Sequence, residues 1–375
     1  MGKRDSRVDA VFADMAAPQH PGAALLVIDH DEIVYQQCYG FADIEAQRPI
    51  TPDTSFYLAS MSKQFTAMAV MMLAEEGRLG YEDRLPAYFP QLPAWSADVS
   101  VRHLLHHISG LPHYMEFFSS HDGIPEWTRD VDGVSNADVL ERTAGLAGLQ
   151  FPAGTQYFYS GVGYTLLALI VTAVSGQSFA DFLKVRIFDP LGMKHTVVYD
   201  EARPARHKLA HGYWEDAGQF RRWDYPLLTA GDGGLFSTLD DLFLWDQALN
   251  GESLVPRAAL EQAYTSGKTN DGTSVGYGFG WITDVFPYCN AAEREQLLAL
   301  GGPNLRHAVH GGSCVAYFNY VMRLLDSRRT IIVLTNHLGV PGPRIRAHQV
   351  AEILFGGKER IIPGHPLAFR PGETA

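Results

Sequence analysis

A serine and a lysine, Ser60 and Lys63, stand three residues apart in a stretch that otherwise has the composition of a buried helix, YLASMSKQFTAMAVMML at positions 57–73. Residues three apart on a helix share a face, so this spacing predicts that the hydroxyl and the amine point the same way. Burial among apolar groups disfavours the charged form of a lysine, and a neutral amine can act as a base. A hydroxyl beside such an amine is a candidate nucleophile. A place near the helix start would also leave the Ser60 backbone N–H able to face an oxyanion.

The same pair has an alternative explanation that involves no chemistry. Lys63 could extend its apolar stem along the helix and reach solvent, while Ser60 caps the helix. A single S-x-x-K pattern does not separate the two explanations, because a short motif needs structural context.

Two further stretches supply that context. Tyr159-Ser160-Gly161 precedes the apolar helical run VGYTLLALIVTAV, and His310-Gly311-Gly312 opens a run typical of a strand. In this order the three motifs resemble those of the serine β-lactamase and penicillin-binding-protein-like hydrolases. The resemblance is closest to the branch with class C β-lactamases, D-aminopeptidases and family VIII carboxylesterases. Other stretches similar to that family cover most of the chain: VRHLLHHISGLP (101–112), FDPLGMKHT (188–196), GGLFSTLDDLFLWDQAL (233–249), YGFGW (277–281) and IIVLTN (331–336).

The resemblance implies an α+β, β-lactamase-like fold. An antiparallel sheet built from both termini would be flanked by helices, beside a mainly helical second subdomain. The sheet subdomain is predicted to comprise residues 1–58 and 230–375, and the helical subdomain residues 59–229, with the active site between them.

The resemblance also implies a role for each motif. Ser60 would be the acylating nucleophile, and Lys63 and Tyr159 the proton-transfer pair. The backbone N–H groups of Ser60 and Ser313 would form the oxyanion hole, and no metal ion or organic cofactor is implied. Glycines suit an edge strand that a substrate approaches closely. The implied substrate-binding positions are His310, Gly311, Gly312 and Gly161.

The sequence departs from the family at the second motif. The third residue there is usually an asparagine, which in the family helps to hold the lysine and binds the side-chain amide of β-lactam and peptide substrates. Gly161 has no side chain for either role. His310 favours the same conclusion, because a mostly neutral imidazole pairs less strongly with a carboxylate than a lysine does. The prediction is therefore a carboxylesterase on small esters; a D-amino-acid amidase or peptidase, a weak β-lactamase and a non-catalytic acyl-binding protein are the alternatives.

Composition argues against several classes of partner. A net charge of −12 and a pI near 5.6 are unfavourable for binding nucleic acid or an anionic membrane, so the expected partner is a small ester or amide. The longest apolar runs, 65–74 and 164–174, are shorter than the roughly 20 residues that cross a bilayer. The N-terminus lacks the apolar core of a signal peptide, and three widely spaced cysteines suit reduced thiols. A cytoplasmic location is therefore expected.

Periodicity and turn signals predict the main elements. Helices are expected at 5–15, 57–77, 136–147, 162–174, 178–187, from a capping box at 238–241, and at 344–355. Strands are expected at 23–28, 33–39, 277–281, 315–324 and 330–335.

Two other features are interpreted as structural, and a third has two possible explanations. The G-x-S-x-G pattern around Ser274 matches a nucleophile elbow, but it lies in a turn without the strand and helix that such an elbow needs. The histidine-rich run with His103, His106, His107 and His113 lacks a carboxylate to complete a metal site, so helix packing is expected. Aromatic residues at 114–118, together with Trp127, could line an acyl pocket or pack on the surface.

Overall fold

The computed structural model describes residues 4–113, 116–117, 134–199, 209–224, 229–284, 306–314, 316–339 and 342–355. Its strands are β1 (Ala23–Asp29), β2 (Glu32–Tyr39), β3 (Phe41–Asp43), β4 (Arg48–Pro49), β5 (Phe56–Tyr57), β6 (Val197–Val198), β7 (Tyr213–Asp216), β8 (Gln219–Arg222), β9 (Leu235–Ser237), β10 (His307–Cys314), β11 (Tyr317–Leu324) and β12 (Arg329–Thr335). Its α-helices are α1 (Ser6–Val11), α2 (Lys63–Glu75), α3 (Val101–Leu105), α4 (Asn136–Ala144), α5 (Gly161–Ser175), α6 (Phe179–Leu183), α7 (Asp189–Leu191), α8 (Leu239–Asn250), α9 (Arg257–Ala263) and α10 (Pro343–Phe355).

Both ends of the chain contribute to one five-stranded antiparallel sheet. The strand order is β10–β11–β12–β1–β2, so the N-terminal hairpin joins the C-terminal strands through the pairing of β1 with β12. In the β1–β2 turn, His30 and Asp31 have positive φ angles (+49° and +69°), as a tight hairpin turn requires. Strand β10 lies at one edge of this sheet. The sheet and its surrounding helices confirm the predicted α+β class.

Strand β1 is apolar from Ala23 to Ile28 because both faces of the sheet are covered. Leu26 and Ile28 belong to the core that contains α2 and α8. Leu25 and Val27 belong to a second core beneath α1 and α10. A strand buried on both faces shows a continuous apolar run rather than alternation, which explains this segment of the sequence.

Helices α2 and α5 form the centre of the helical part. Every residue of α2 from Lys63 to Leu73 is buried, and α5 is buried from Gly161 to Ala168. A helix that is apolar all round must lie inside a protein, so both helices pack against neighbours on every side. The lysine at the start of α2 is therefore held within the interior.

The region before α2 differs from the prediction. Helix α2 begins at Lys63 rather than at position 57, because β5 pairs with β9 and residues Ala59–Ser62 form a 3₁₀ turn. The predicted strand at 277–281 is also wrong. Tyr277 makes only an isolated bridge to Ile282, and the alternating glycines of this segment support no continuous pairing.

The capping box predicted for α8 is half formed. The Thr238 side chain accepts a hydrogen bond from the Asp241 N–H at 3.1 Å. The Asp241 carboxylate instead accepts from the His195 N–H and the Thr196 hydroxyl (2.8 and 2.7 Å), so it joins the chain before β6 to this helix.

Among the described helices, none by itself is long and apolar enough to cross a membrane. The pair Gly161–Ser175 and Phe179–Leu191 meets the length and composition test only jointly, and its two parts are bent by 78°.

Candidate active site

The first motif lies on a tight turn between the sheet and α2. The Asn319 side chain on β11 donates to the Tyr57 carbonyl at 2.8 Å, which anchors the chain just before the turn. Ala59 has a φ of +49°, a left-handed conformation that is uncommon for a residue with a Cβ. Such strain persists only where the surrounding structure imposes it, and here it immediately precedes Ser60.

Ser60 and Lys63 are in hydrogen-bond contact. Nζ of Lys63 lies 3.2 Å from Oγ of Ser60, as the three-residue spacing predicts. Ser60 belongs to the first turn of the helical segment, where backbone N–H groups have no carbonyl partner within the helix. The turn therefore presents the hydroxyl, the amine and an N–H donor together.

Lys63 is buried at the start of α2. Its side chain is 1% exposed, so the alternative in which it extends to solvent is wrong. Nζ donates to the Asp232 carbonyl at 2.7 Å and lies 4.8 Å and 5.6 Å from the ring centroids of Tyr159 and Tyr164. Within the described part of the chain, Lys63 makes no ion pair with a carboxylate.

The Asp232 carbonyl holds the lysine where Gly161 has no side chain to do so. It lies in a glycine-rich loop whose conformation few other residues could adopt. Gly231 has a φ of +102°, and a Cβ at that position would lie 2.4 Å from the Tyr164 carbonyl oxygen. The absence of the family's asparagine therefore removes one contact to the lysine but does not leave its amine unbound.

The second motif forms the N-terminus of α5. The Ser160 side chain accepts from the Gly163 N–H at 3.3 Å and donates to the Pro112 carbonyl at 2.6 Å, so it caps the helix and ties it to a loop. Tyr159 precedes this cap, with its ring beside Lys63. Among the described residues its buried hydroxyl has no hydrogen-bond partner, so it is available to a bound substrate.

The third motif lies on edge strand β10, which crosses beside the turn that carries Ser60. A Cβ on Gly312 would lie 2.1 Å from the Leu58 carbonyl oxygen, so packing of the chain itself requires a glycine there. A Cβ on Gly311 would meet nothing closer than the Asn319 carbonyl oxygen at 3.8 Å. Ser313 follows on the exposed side, next to the junction of β10 with the Ser60 turn. The two predicted oxyanion donors thus lie on adjoining segments.

His310 is buried and both of its ring nitrogens are engaged. Nδ1 lies 2.6 Å from the Gly311 carbonyl, which can only accept, so Nδ1 carries the proton. Nε2 then accepts from the Tyr277 hydroxyl at 2.9 Å. Burial, together with the charge of Lys63, lowers the pKa of His310 to about 3. His310 is therefore neutral at neutral pH and has no free N–H for a substrate.

Comparison with known proteins gives the family. A family model described as Beta-lactamase matches residues 8–355. The chain belongs to the β-lactamase family. This assignment confirms the resemblance drawn from the three motifs, and it identifies the protein as a serine hydrolase of the β-lactamase and penicillin-binding-protein group.

Relatives of this β-lactamase-family chain have different names and activities. It is 32% identical to penicillin-binding protein 4* of Bacillus subtilis (strain 168) over 374 residues, which cover 96% of this chain and 78% of that protein. It is 27% identical to a D-aminopeptidase of Gluconobacter oxydans (strain 621H) over 363 residues, 92% of this chain and 64% of the relative. It is also 27% identical to esterase EstB of Burkholderia gladioli over 380 residues, 90% of this chain and 92% of that protein.

The histidines near the site make contacts within the protein. His106 Nδ1 bonds the Tyr277 carbonyl at 2.9 Å, and burial lowers the pKa of His106 to about 4. His103 completes the N-terminal cap of α3 with Ser100. Burial and the charge of Lys63 lower the pKa of His113 to about 3. In the described residues, no group of three or more histidine, cysteine or acidic side chains is arranged to hold a metal ion.

Ser274 lies away from this site in an exposed loop. Its hydroxyl bonds the Ser266 hydroxyl at 2.7 Å, and its backbone makes an isolated bridge with Lys268. Within the described stretch 264–284, no strand leads into Ser274 and no helix follows it, so the loop interpretation of the G-x-S-x-G pattern is confirmed.

Sequence reasoning missed three residues of the site: Asp232, His107 and Tyr277. Asp232 contributes its carbonyl, and its buried carboxyl has a pKa that burial raises while the charge of Lys63 lowers it. The Gly-Asp-Gly-Gly run was the available signal for the loop, and LLHHISG the signal for His107. The aromatic pocket proposed at 114–118 and Trp127 falls mostly outside the described residues.

Proposed function

We propose that the protein is a carboxylesterase that acts through an acyl-enzyme on small esters without a free carboxylate near the scissile bond. The observation that carries this proposal is the state of His310. A substrate carboxylate needs a cation or a free donor at the third motif, and this imidazole is neutral with both nitrogens bonded. Among the described groups, Lys63 is the basic side chain whose charge, when it is protonated, acts on His310, and its amine already contacts the nucleophile.

The geometry supports a two-stage reaction. In the first stage, the Lys63 amine in its deprotonated form removes the proton of the Ser60 hydroxyl while Oγ attacks the ester carbonyl carbon. The developing oxyanion is stabilised by the N–H groups of Ser60 and Ser313. The bond to the alcohol oxygen then breaks, and Tyr159 gives that oxygen a proton and regains one from Lys63.

In the second stage, water attacks the acyl-enzyme. The water gives one proton to the Lys63 and Tyr159 pair, the bond between Ser60 Oγ and the acyl carbon breaks, and Oγ is reprotonated. The products are a carboxylic acid and the free enzyme, so no oxidant or cofactor enters the balance.

An amidase acting on D-amino-acid amides or on the N-terminal residue of peptides is a second candidate. Such amides also lack a carboxylate next to the scissile bond, so the state of His310 does not disfavour them. The D-aminopeptidase among the relatives supports this candidate. A β-lactamase is less favoured, because β-lactams carry a carboxylate that His310 would leave unpaired. A non-catalytic acyl-binding role is disfavoured by the contact between Ser60 and Lys63.

The first experiment is intact-protein mass spectrometry after treatment with a fluorophosphonate probe, followed by peptide mapping. The proposal predicts a single adduct on Ser60, together with turnover of para-nitrophenyl acetate and butyrate. Absence of both would contradict a serine hydrolase, and turnover of a D-alanine anilide above that of the esters would favour the amidase.

A matched pair of esters tests the role of His310. Diethyl succinate and monoethyl succinate differ by one carboxylate, and the neutral diester is expected to react faster. The His310→Lys variant supplies a cation and should raise the rate on the monoester relative to the diester. An unchanged ratio would show that the third motif does not select against carboxylates.

A further inference from the structure

His107 occupies a backbone position that normally favours glycine. It follows the last turn of α3 with a φ of +58°. The N–H of His107 bonds the Leu104 carbonyl at 3.2 Å, and the N–H of Ile108 bonds the His103 carbonyl at 3.0 Å. This pair of bonds is the Schellman arrangement that ends many helices, with glycine usually at the left-handed position. A histidine is retained here despite the strain, which points to a use for its side chain.

His107 contacts the segment that carries Tyr159. The His107 carbonyl accepts from the Phe158 N–H at 2.9 Å, and His107 Nδ1 accepts from the Ser160 N–H at 3.1 Å. The imidazole lies against the phenol ring, with 4.3 Å between the ring centroids of His107 and Tyr159. One residue therefore binds the backbone on both sides of Tyr159 and supports its ring.

The chemistry of the imidazole fits this task. Because Nδ1 accepts a backbone proton, the neutral ring carries its proton on Nε2. Burial, together with the charge of a protonated Lys63, holds the pKa of His107 well below its usual range, so the ring stays neutral and adds no charge beside the amine. The ring also contacts Tyr164 and Tyr277, whose rings lie 5.0 and 4.6 Å away.

We propose that His107 is a positioning residue for Tyr159, which keeps the phenol hydroxyl where it can protonate the leaving group. This inference rests on the proposed hydrolase function. It goes beyond that function because it assigns the orientation of the proton donor, Tyr159, to a single residue that follows the end of α3. The imidazole itself exchanges no proton with the substrate.

Two variants and one control test the proposal. His107→Gly removes the imidazole but suits the left-handed backbone, so a residue that only ended α3 would be replaced without loss. His107→Asn keeps an acceptor near the Nδ1 position and tolerates the same backbone conformation. His30→Gly is the matched control, because His30 has a φ of +49° in the exposed β1–β2 turn.

The readout is the dependence of kcat on the leaving group. For ethyl acetate, whose alkoxide must be protonated, His107→Gly should lower kcat about 100-fold. For para-nitrophenyl acetate, whose phenolate leaves without a proton, the loss should be about tenfold or less. KM should change little, because His107 is 1% exposed and is proposed to act on the substrate only through Tyr159. His107→Asn should recover part of the ethyl acetate rate, and His30→Gly should equal the wild type.

Two outcomes in His107→Gly would contradict the proposal. If His107→Gly keeps the wild-type kcat on both esters, His107 serves only to end the helix. If kcat falls equally on both esters, the substitution has disturbed the site as a whole. Either result overturns the proposal. If the glycine variant does not fold, the same ratio is read in His107→Ala, which also lacks the acceptor, and an unchanged ratio there overturns the proposal. Absence of a Ser60 adduct in the wild type would refute the hydrolase function itself, whereas an adduct with an unchanged ratio refutes only the role of His107.

Discussion

Two buried cations, Lys63 and Arg323, have opposite surroundings. Arg323 is 3% exposed, and its guanidinium donates to the Asp246 carboxylate at 2.9 Å, the Tyr264 hydroxyl at 2.6 Å and the Asn250 carbonyl at 2.6 Å. Lys63 is 1% exposed and donates to a carbonyl and to the Ser60 hydroxyl. Arg323 contacts a buried carboxylate, whereas the hydrogen bonds of Lys63 go to a carbonyl and a hydroxyl.

The difference separates a structural cation from a reactive one. A guanidinium remains charged in proteins, so burial requires a complete set of acceptors, and Asp246 with its neighbours provides it. A lysine amine can lose its proton and so act as a base in a way that a guanidinium cannot. The role of each cation therefore follows from the hydrogen-bond partners that the fold gives it.

The largest effect should come from the nucleophile. Ser60→Ala removes the hydroxyl that Lys63 contacts, and hydrolysis should fall by ~10⁴-fold or more. Ser274→Ala, in the exposed loop, should keep the wild-type rate. Steady-state ester kinetics on both variants check this, and equal losses would contradict the assignment of Ser60.

Methionine substitutions compare the two cations directly. Lys63→Met should lower kcat by ~10³-fold or more, while the free energy of unfolding stays the same or rises by about 1 kcal/mol. Arg323→Met leaves the Asp246 carboxylate buried without its partner and should lower the free energy of unfolding by about 3–5 kcal/mol.

Urea denaturation and single-turnover kinetics measure the two properties on the same samples. Folded Arg323→Met protein should still acquire the fluorophosphonate adduct on Ser60. The comparison fails if Lys63→Met is the less stable variant or if Arg323→Met is the less active one per folded molecule.

The buried histidines should make stability depend on pH. The pKa values of His106, His310 and His337 are lowered, chiefly by burial, to about 4, 3 and 4. Below about pH 6.5 the unfolded chain takes up protons at these side chains and the folded chain does not. The unfolded state then binds more protons, so the free energy of unfolding should decrease as the pH is lowered. Between pH 7 and pH 5 the expected decrease is about 2 kcal/mol per histidine.

Denaturation at pH 7 and pH 5 checks this, and His337→Asn should reduce the difference between the two values. His337 lies outside the site, in contact with His20 and Phe220, so its replacement leaves the surroundings of Lys63 unchanged. An unchanged difference in the variant would show that His337 is charged in the folded protein.

The smallest effect concerns the second motif. Gly161→Asn restores the family's side chain near the lysine and should raise amide or β-lactam turnover a few-fold relative to ester turnover. Parallel assays with para-nitrophenyl acetate and a D-alanine anilide give the ratio. A constant ratio would mean that the Asp232 carbonyl already performs the role of the missing amide.

Much of the architecture could be predicted from local patterns. The β1–β2 hairpin, α5 and the C-terminal strands follow from apolar runs and turn residues, and the structure has them within a few residues of the predicted bounds. Two predictions failed for tertiary reasons. The start of α2 moved because Phe56–Tyr57 pair with β9, and residues 277–281 form no strand because their glycines pack against Lys63 and Ala263.

The sequence by itself determined which residues meet through local spacing. Ser60 reaches Lys63 because they are three residues apart, and Tyr159 stands just before the helix that Ser160 caps. Only the tertiary structure decided the burial of the site residues and their distant hydrogen-bond partners. The carbonyl that holds Lys63 is 169 residues away, the tyrosine that engages His310 is 33 away, and the amide that His107 binds is 53 away. Burial and long-range partners set protonation and orientation, and neither is encoded in the spacing of a motif.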